Sequence, residues 1–198
     1  MSAAARAAAP RAAAALLAVA TAGAAGFAAG AEGGGGGLER FFGSYVGLAE
    51  ETAPDGQVKA RREIDVDVGA SGRDGVSVTW TNVTLVDGRR DVPGVRRRVD
   101  EVLLAPASPG RDLYTARAPY DPFSERHPPD AIAGEPLRWA RIEGDTLRTY
   151  SVVILDDGRY ELQTYDRRLT REGLDLGWRR VVDGETVRRM TGRAVRAD

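Results

Sequence analysis

Along much of this chain apolar and polar residues take turns, and that period of two constrains the fold more than any other feature. Ile64, Val66 and Val68 alternate with Glu63, Asp65 and Asp67, and Val76, Val78 and Trp80 with Ser77, Thr79 and Thr81. Tyr160, Leu162 and Thr164 alternate with Glu161 and Gln163, and Leu174, Leu176 and Trp178 with Asp175, Gly177 and Arg179. Successive side chains of a strand point to opposite faces, so each run reads as a strand with one face in a core and one in water. Val83 and Leu85 fall out of phase with Trp80, which predicts a bulge or bend near Asn82. No segment after Leu48 repeats at 3.6 residues, and Leu38 to Phe42 is long enough for only one helical turn.

The punctuation agrees. Asp55-Gly56, Asp74-Gly75, Asp87-Gly88, Asp157-Gly158 and Asp183-Gly184 are hairpin signals, because both residue types tolerate the positive φ of primed turns. Between them the alternation predicts ten strands, over 43–50, 57–68, 75–86, 94–105, 112–118, 137–143, 146–155, 159–169, 173–182 and 185–194. Long antiparallel strands joined by short turns favour an all-β, up-and-down barrel of about eight to ten strands, which leaves no exposed edge. A β-sandwich with Greek-key crossings is the alternative architecture.

The two ends of the chain differ from this pattern. Residues 1–31 carry Arg6 and Arg11, no acidic residue, and a run of Ala, Leu, Val and Gly that ends Ala29-Gly30-Ala31. A basic start, an apolar stretch and small residues at a cleavage position predict a secretory signal peptide, so the protein is expected to be exported, to a bacterial periplasm or beyond. Residues 32–37, one Glu and five Gly, read as a flexible linker, and 38–198 as a single barrel domain. The chain has no cysteine, hence neither a lipid-attachment site nor a disulfide, and the core must hold by burial. Cleavage would remove two of the 28 basic residues and none of the 29 acidic ones, leaving a net charge of −3. That balance is too even to suggest a nucleic-acid partner, so none is expected, and no stable membrane insertion is expected after cleavage.

At the start of the first predicted strand stands Phe41-Phe42-Gly43-Ser44-Tyr45-Val46-Gly47. It resembles the Phe-x-Gly-x-Trp opening of the calycins, the lipocalins and fatty-acid-binding proteins. Gly43 matches the family glycine, and Tyr45 stands where tryptophan is usual. The resemblance implies a closing arginine on the last strand, packed over that aromatic. Arg188, Arg189 and Arg193 are available there; alternation does not choose among them, and Arg193 is assigned to barrel closure with Gly43 and Tyr45.

No signature of a known reaction follows. Asp65-Val66-Asp67-Val68-Gly69 approaches a calcium loop but lacks the third ligand and the distal Glu. His127 is the only histidine, and one His with scattered carboxylates is a poor zinc set. No Gly-x-Ser-x-Gly elbow presents a serine nucleophile. Accordingly no catalytic, cofactor-binding or metal-binding residue is assigned.

Five of the ten prolines fall between Arg117 and Pro136, which forbids regular structure there. That segment reads either as a loop closing one mouth of the barrel with Tyr120, Phe123 and His127, or as a crossover packed on the outside. Trp80, Tyr160 and Trp178 fall on the inward parity, while alternation gives Trp139, Tyr150 and Tyr165 no face. The inward rings either fill the interior or line a cavity for one small apolar ligand. Three functions remain: a carrier of a small hydrophobic or amphipathic ligand, a cell-envelope interaction protein with a filled barrel, and an enzyme working at the barrel mouth. The carrier is the reading taken, with Trp80, Tyr160, Trp178, Tyr120, Phe123 and His127 as its ligand-binding residues.

Overall fold

The computed structural model describes residues 37–108, 112–117 and 129–197. A single 3-10 turn, Leu38–Phe41, precedes ten strands: β1 (Gly43–Thr52), β2 (Val58–Ser71), β3 (Gly75–Thr84), β4 (Arg96–Pro106), β5 (Leu113–Arg117), β6 (Leu137–Glu143), β7 (Thr146–Ile154), β8 (Tyr160–Leu169), β9 (Gly173–Val182) and β10 (Glu185–Ala197). Each strand pairs antiparallel with its neighbours in sequence, and β1 pairs with β10, so the sheet closes into an up-and-down barrel. The predicted leader, and all of the predicted linker except Gly37, lie outside the described residues.

The turns form where Asp-Gly pairs predicted them. Asp87 and Gly88, like Asp183 and Gly184, both take positive φ, as the two central residues of a I′ turn must. The expected bulge near Asn82 is absent. β2 and β3 pair without a shift from Arg62↔Thr84 to Ser71↔Gly75, and Asn82 keeps the inward phase of Trp80. Val83 is instead an apolar residue of the outer wall, buried between its cross-strand neighbours Glu63 and Arg97. The register shifts fall at Glu51/Thr52 and Thr186/Arg188, near the same end of the barrel.

The two ends of the barrel differ. At the end where β1 begins and β10 finishes, Leu38, Phe41 and Tyr45 are fully buried and join Val66, Val78, Leu104, Leu147 and Leu174 in a packed core. The 3-10 turn is therefore a plug, tied down where the Tyr45 hydroxyl donates to the Phe41 carbonyl at 2.9 Å.

The closing arginine is Arg196, not Arg193. Its guanidinium lies 5.0 Å from the Tyr45 ring centroid, Nη2 donates to Tyr45 Oη at 2.9 Å, and Nη1 donates to the Phe42 carbonyl at 2.8 Å. Arg193 points out to Asp175, 3.3 Å away. β10 continues to Ala197, past the expected end at 194, and Arg196 shares the inward phase of Met190 and Ala194. Gly43 belongs to the same arrangement, since a Cβ there would lie 2.5 Å from Arg196 Nη1.

Candidate ligand cavity

The opposite half of the barrel is hollow. A cavity of about 380 Å³ lies between β2, β3, β8, β9 and β10, with Ile64, Val66, Trp80, Leu176, Trp178 and Met190 supplying its apolar surface. That volume sits toward the small end of ordinary ligand sites. Three aromatic rings run along one side: Trp80 and Tyr165 have centroids 5.1 Å apart, and Tyr165 and Trp178 6.5 Å apart, each pair tilted. Tilted contacts of this kind are the favoured geometry for aromatic quadrupoles, so the row is a rigid wall.

β8 faces the cavity with the opposite parity from the one expected. Glu161, Gln163, Tyr165 and Arg167 line it, whereas Tyr160 does not and is 41% exposed. The assignment of Tyr160 to the site is therefore corrected to Tyr165. The physical reason is that this stretch of interior is polar, so alternation between apolar and polar residues does not report inside and outside. Trp80 and Trp178 both line the cavity. Tyr120, Phe123 and His127 lie outside the described residues. Trp139 and Tyr150 stack on the outer wall, 4.9 Å apart and nearly parallel, as cross-strand partners of β6 and β7.

A hydrogen-bond ladder fixes the polar side of the wall. Tyr165 Oη and Trp178 Nε1 both donate to Gln163 Oε1, at 2.6 and 3.0 Å. The Gln163 amide then donates to Glu161 Oε1 at 2.5 Å, and Glu161 Oε2 accepts from Arg180 Nε at 2.8 Å. With both ring donors committed to one oxygen, the orientation of the glutamine is determined. Burial raises the Tyr165 hydroxyl above its ordinary pKa, helped by the charge of Asp100.

Around the mouth the charges are paired. Arg62 binds Glu51 through Nε at 3.1 Å and donates to Thr84 at 2.6 Å; Arg188 approaches Glu51 at 3.8 Å; Arg98 binds Asp100 at 2.7 Å. Arg98 is mostly exposed and Arg180 and Arg188 partly so, which marks where the cavity meets solvent. Deeper in, Arg167 differs from all of them. It is 3% exposed, its Nη1 donates to Thr149 Oγ1 at 3.2 Å, and its Nε has no hydrogen-bond partner. Its guanidinium lies 5.1 Å from the Trp80 ring and 6.0 Å from that of Tyr165. Among the described residues no carboxylate forms an ion pair with it. Burial pulls its pKa down to about 10, so it remains a cation at neutral pH. Sequence reasoning missed Arg167 and Tyr165; the regular 161, 163, 165, 167 spacing was the available signal, masked by its polarity.

Fold and site together define a closed antiparallel β-barrel, plugged at one end and open into an aromatic-walled cavity at the other. No known family profile matches the sequence, and no curated protein matches it. Among solved structures it is similar to the S-type phycobiliprotein lyase of Guillardia theta, at 9% identity and a TM-score of 0.34, over 81% of this chain and 90% of that one. It is also similar to a protein of YmcC-like fold from Bacteroides fragilis, at 11% identity and a TM-score of 0.28, over 77% of this chain and 95% of that one.

Proposed function

We propose that the protein is an exported, non-catalytic barrel that binds one small hydrophobic or amphipathic molecule in the cavity at its open end. The observation that carries this reading is the hollow itself: about 380 Å³ left unfilled beside Trp80, Tyr165 and Trp178, in a barrel whose other end is tightly packed. Interiors are normally filled to the density of organic crystals, so a retained aromatic-walled void needs a reason, and an occupant supplies one. The mixed lining, an aromatic and aliphatic wall with charged groups both at the mouth and, as Arg167, at depth, suits a molecule with an apolar body and a polar end. The closing trio Gly43, Tyr45 and Arg196 supports a calycin-like reading of the fold. Export rests on the leader in residues 1–31.

Native mass spectrometry of the protein purified from its own cell envelope tests the reading, paired with tryptophan-quenching titrations on a Trp139→Phe variant. Removing the outer-wall indole leaves Trp80 and Trp178, both in the cavity, as reporters. A co-purifying small molecule or saturable quenching is the expected result, with an N-terminus at Glu32 if the leader is cleaved. If nothing co-purifies and no quenching saturates, the carrier reading fails. The outer Trp139–Tyr150 stack then becomes the contact surface of an envelope interaction protein.

A further inference from the structure

The cavity's charges do not balance. Arg62, Arg98, Arg167, Arg180 and Arg188 line or rim it, against Glu51, Asp100 and Glu161. Asp166, also at the wall, is held by a bidentate bond to Arg148, at 2.5 and 3.1 Å. Each of the three carboxylates is matched by an arginine at the mouth, where water screens what is left. The deep cation, Arg167, has no carboxylate of its own among the described residues. Moving a charge out of water without a partner is unfavourable, and an orphaned donor adds to that cost. A guanidinium has five N–H donors in a planar fork that matches a carboxylate. Here one of them, Nε, is buried with nothing to donate to.

The surroundings also describe the rest of the ligand. The guanidinium lies over Trp80, beside the tilted row of Trp80, Tyr165 and Trp178. A flat ring suits such a wall better than a flexible chain, because it offers large contact area with few rotors to immobilise. A cavity of about 380 Å³ is compact for a ligand site, which favours a short body.

We propose, resting on the carrier reading above, that the ligand is a compact aromatic carboxylate whose acid group pairs with Arg167 and whose ring packs against Trp80, Tyr165 and Trp178. The mouth arginines draw the anion in, and Arg167 holds it at depth.

Calorimetric titration of the full-length protein with 2-naphthoate, its neutral amide 2-naphthamide, and decanoate tests this. The naphthoate is expected to bind at least about tenfold more tightly than the amide, and more tightly than decanoate. In Arg167→Met, similar in length but uncharged, naphthoate should lose that advantage while naphthamide still binds. Equal binding of naphthoate and naphthamide to the wild type overturns the charge recognition and leaves the carrier reading standing. Decanoate binding as well as naphthoate overturns the aromatic class. An advantage that survives in Arg167→Met overturns the role of that residue, and no binding by any of the three to the wild type overturns the aromatic-carboxylate proposal, while the carrier reading stands or falls on the native mass spectrometry. If Arg167→Met does not fold, the three wild-type titrations alone decide the ligand class.

Discussion

The guanidinium of Arg196 lies over the ring of Tyr45, 5.0 Å from its centroid, and donates to its hydroxyl oxygen. The tyrosine hydroxyl donates in turn to the Phe41 carbonyl, while the arginine's other nitrogen donates to the Phe42 carbonyl. One cation thus ties the last strand, the first strand and the plug together. Replacing it leaves a buried ring uncovered and a carbonyl unpaired.

Arg196→Ala should therefore lower stability by about 2 kcal/mol, the usual worth of a charge-assisted hydrogen bond lost together with a cation–π contact. Arg193→Ala, which removes only an exposed ion pair with Asp175, should change it by less than about 0.5 kcal/mol. Urea unfolding of the two variants, side by side, checks both. Equal effects would return the closing role to Arg193.

The β1–β10 seam is tightest at Gly47. A Cβ there would lie 2.0 Å from the Arg193 carbonyl oxygen and 2.6 Å from Ala194 Cα, both backbone atoms that cannot swing away. Gly47→Ala should cost about 3 kcal/mol or more, by forcing the seam apart. Gly69→Ala, with nothing within 4 Å of the added methyl, should leave the thermal midpoint unchanged or slightly raised. Circular dichroism melts separate the two cases, and similar midpoints would mean the seam yields.

Arg167 is a cation shielded from water with only a threonine and two rings for company. In the absence of ligand, Arg167→Met should raise stability by about 1–3 kcal/mol, since an apolar chain of similar length avoids the desolvation. Urea midpoints of wild type and variant measure this. A variant markedly less stable than wild type would mean that the ring and threonine contacts already repay the burial.

Alkaline pH should unfold the protein through its tyrosines. Burial raises the hydroxyl pKa of Tyr45, Tyr114 and Tyr165 above the ordinary value of 10.0, with Asp112 and Glu39 reinforcing it at Tyr114. In the unfolded chain these groups lose their protons first, so above pH 10 the folded state binds more protons than the unfolded one. The stability they contribute is complete below pH 10 and is lost as pH rises through the folded-state values. The tyrosines pull the urea midpoint down above pH 10, whereas Arg167, lowered by burial to about 10, pushes it the other way, so the comparison is made in the Arg167→Met background, where a fall above pH 10 is expected. A Tyr165→Phe variant should show a shallower fall, and identical slopes would remove Tyr165 from the account.

Much of the architecture was legible because most inward positions are apolar. Val76, Val78 and Trp80, or Leu174, Leu176 and Trp178, declare their face by composition, and Asp-Gly pairs mark the turns between. The site was harder to read for the same reason inverted. Glu161, Gln163 and Arg167 line a cavity, so polarity there means inside, and Tyr160, Leu162 and Thr164 were given the wrong side. Arg196 was missed because the last strand runs three residues beyond its expected end, and only its position across the seam, over Tyr45, distinguishes it from other arginines of β10.

The β1–β10 seam also governs how the chain reaches this state. All other pairings join strands adjacent in sequence, whereas Arg196 and Phe42 meet across 154 residues. Loop closure over such a span is entropically costly and makes non-local barrels slow to form. Until β10 arrives, the meander has two open edges, at β1 and β9, and the row of unpaired amides on each can recruit another chain. The lifetime of that open sheet, more than the depth of the final energy well, sets how often a nascent molecule aggregates before it closes.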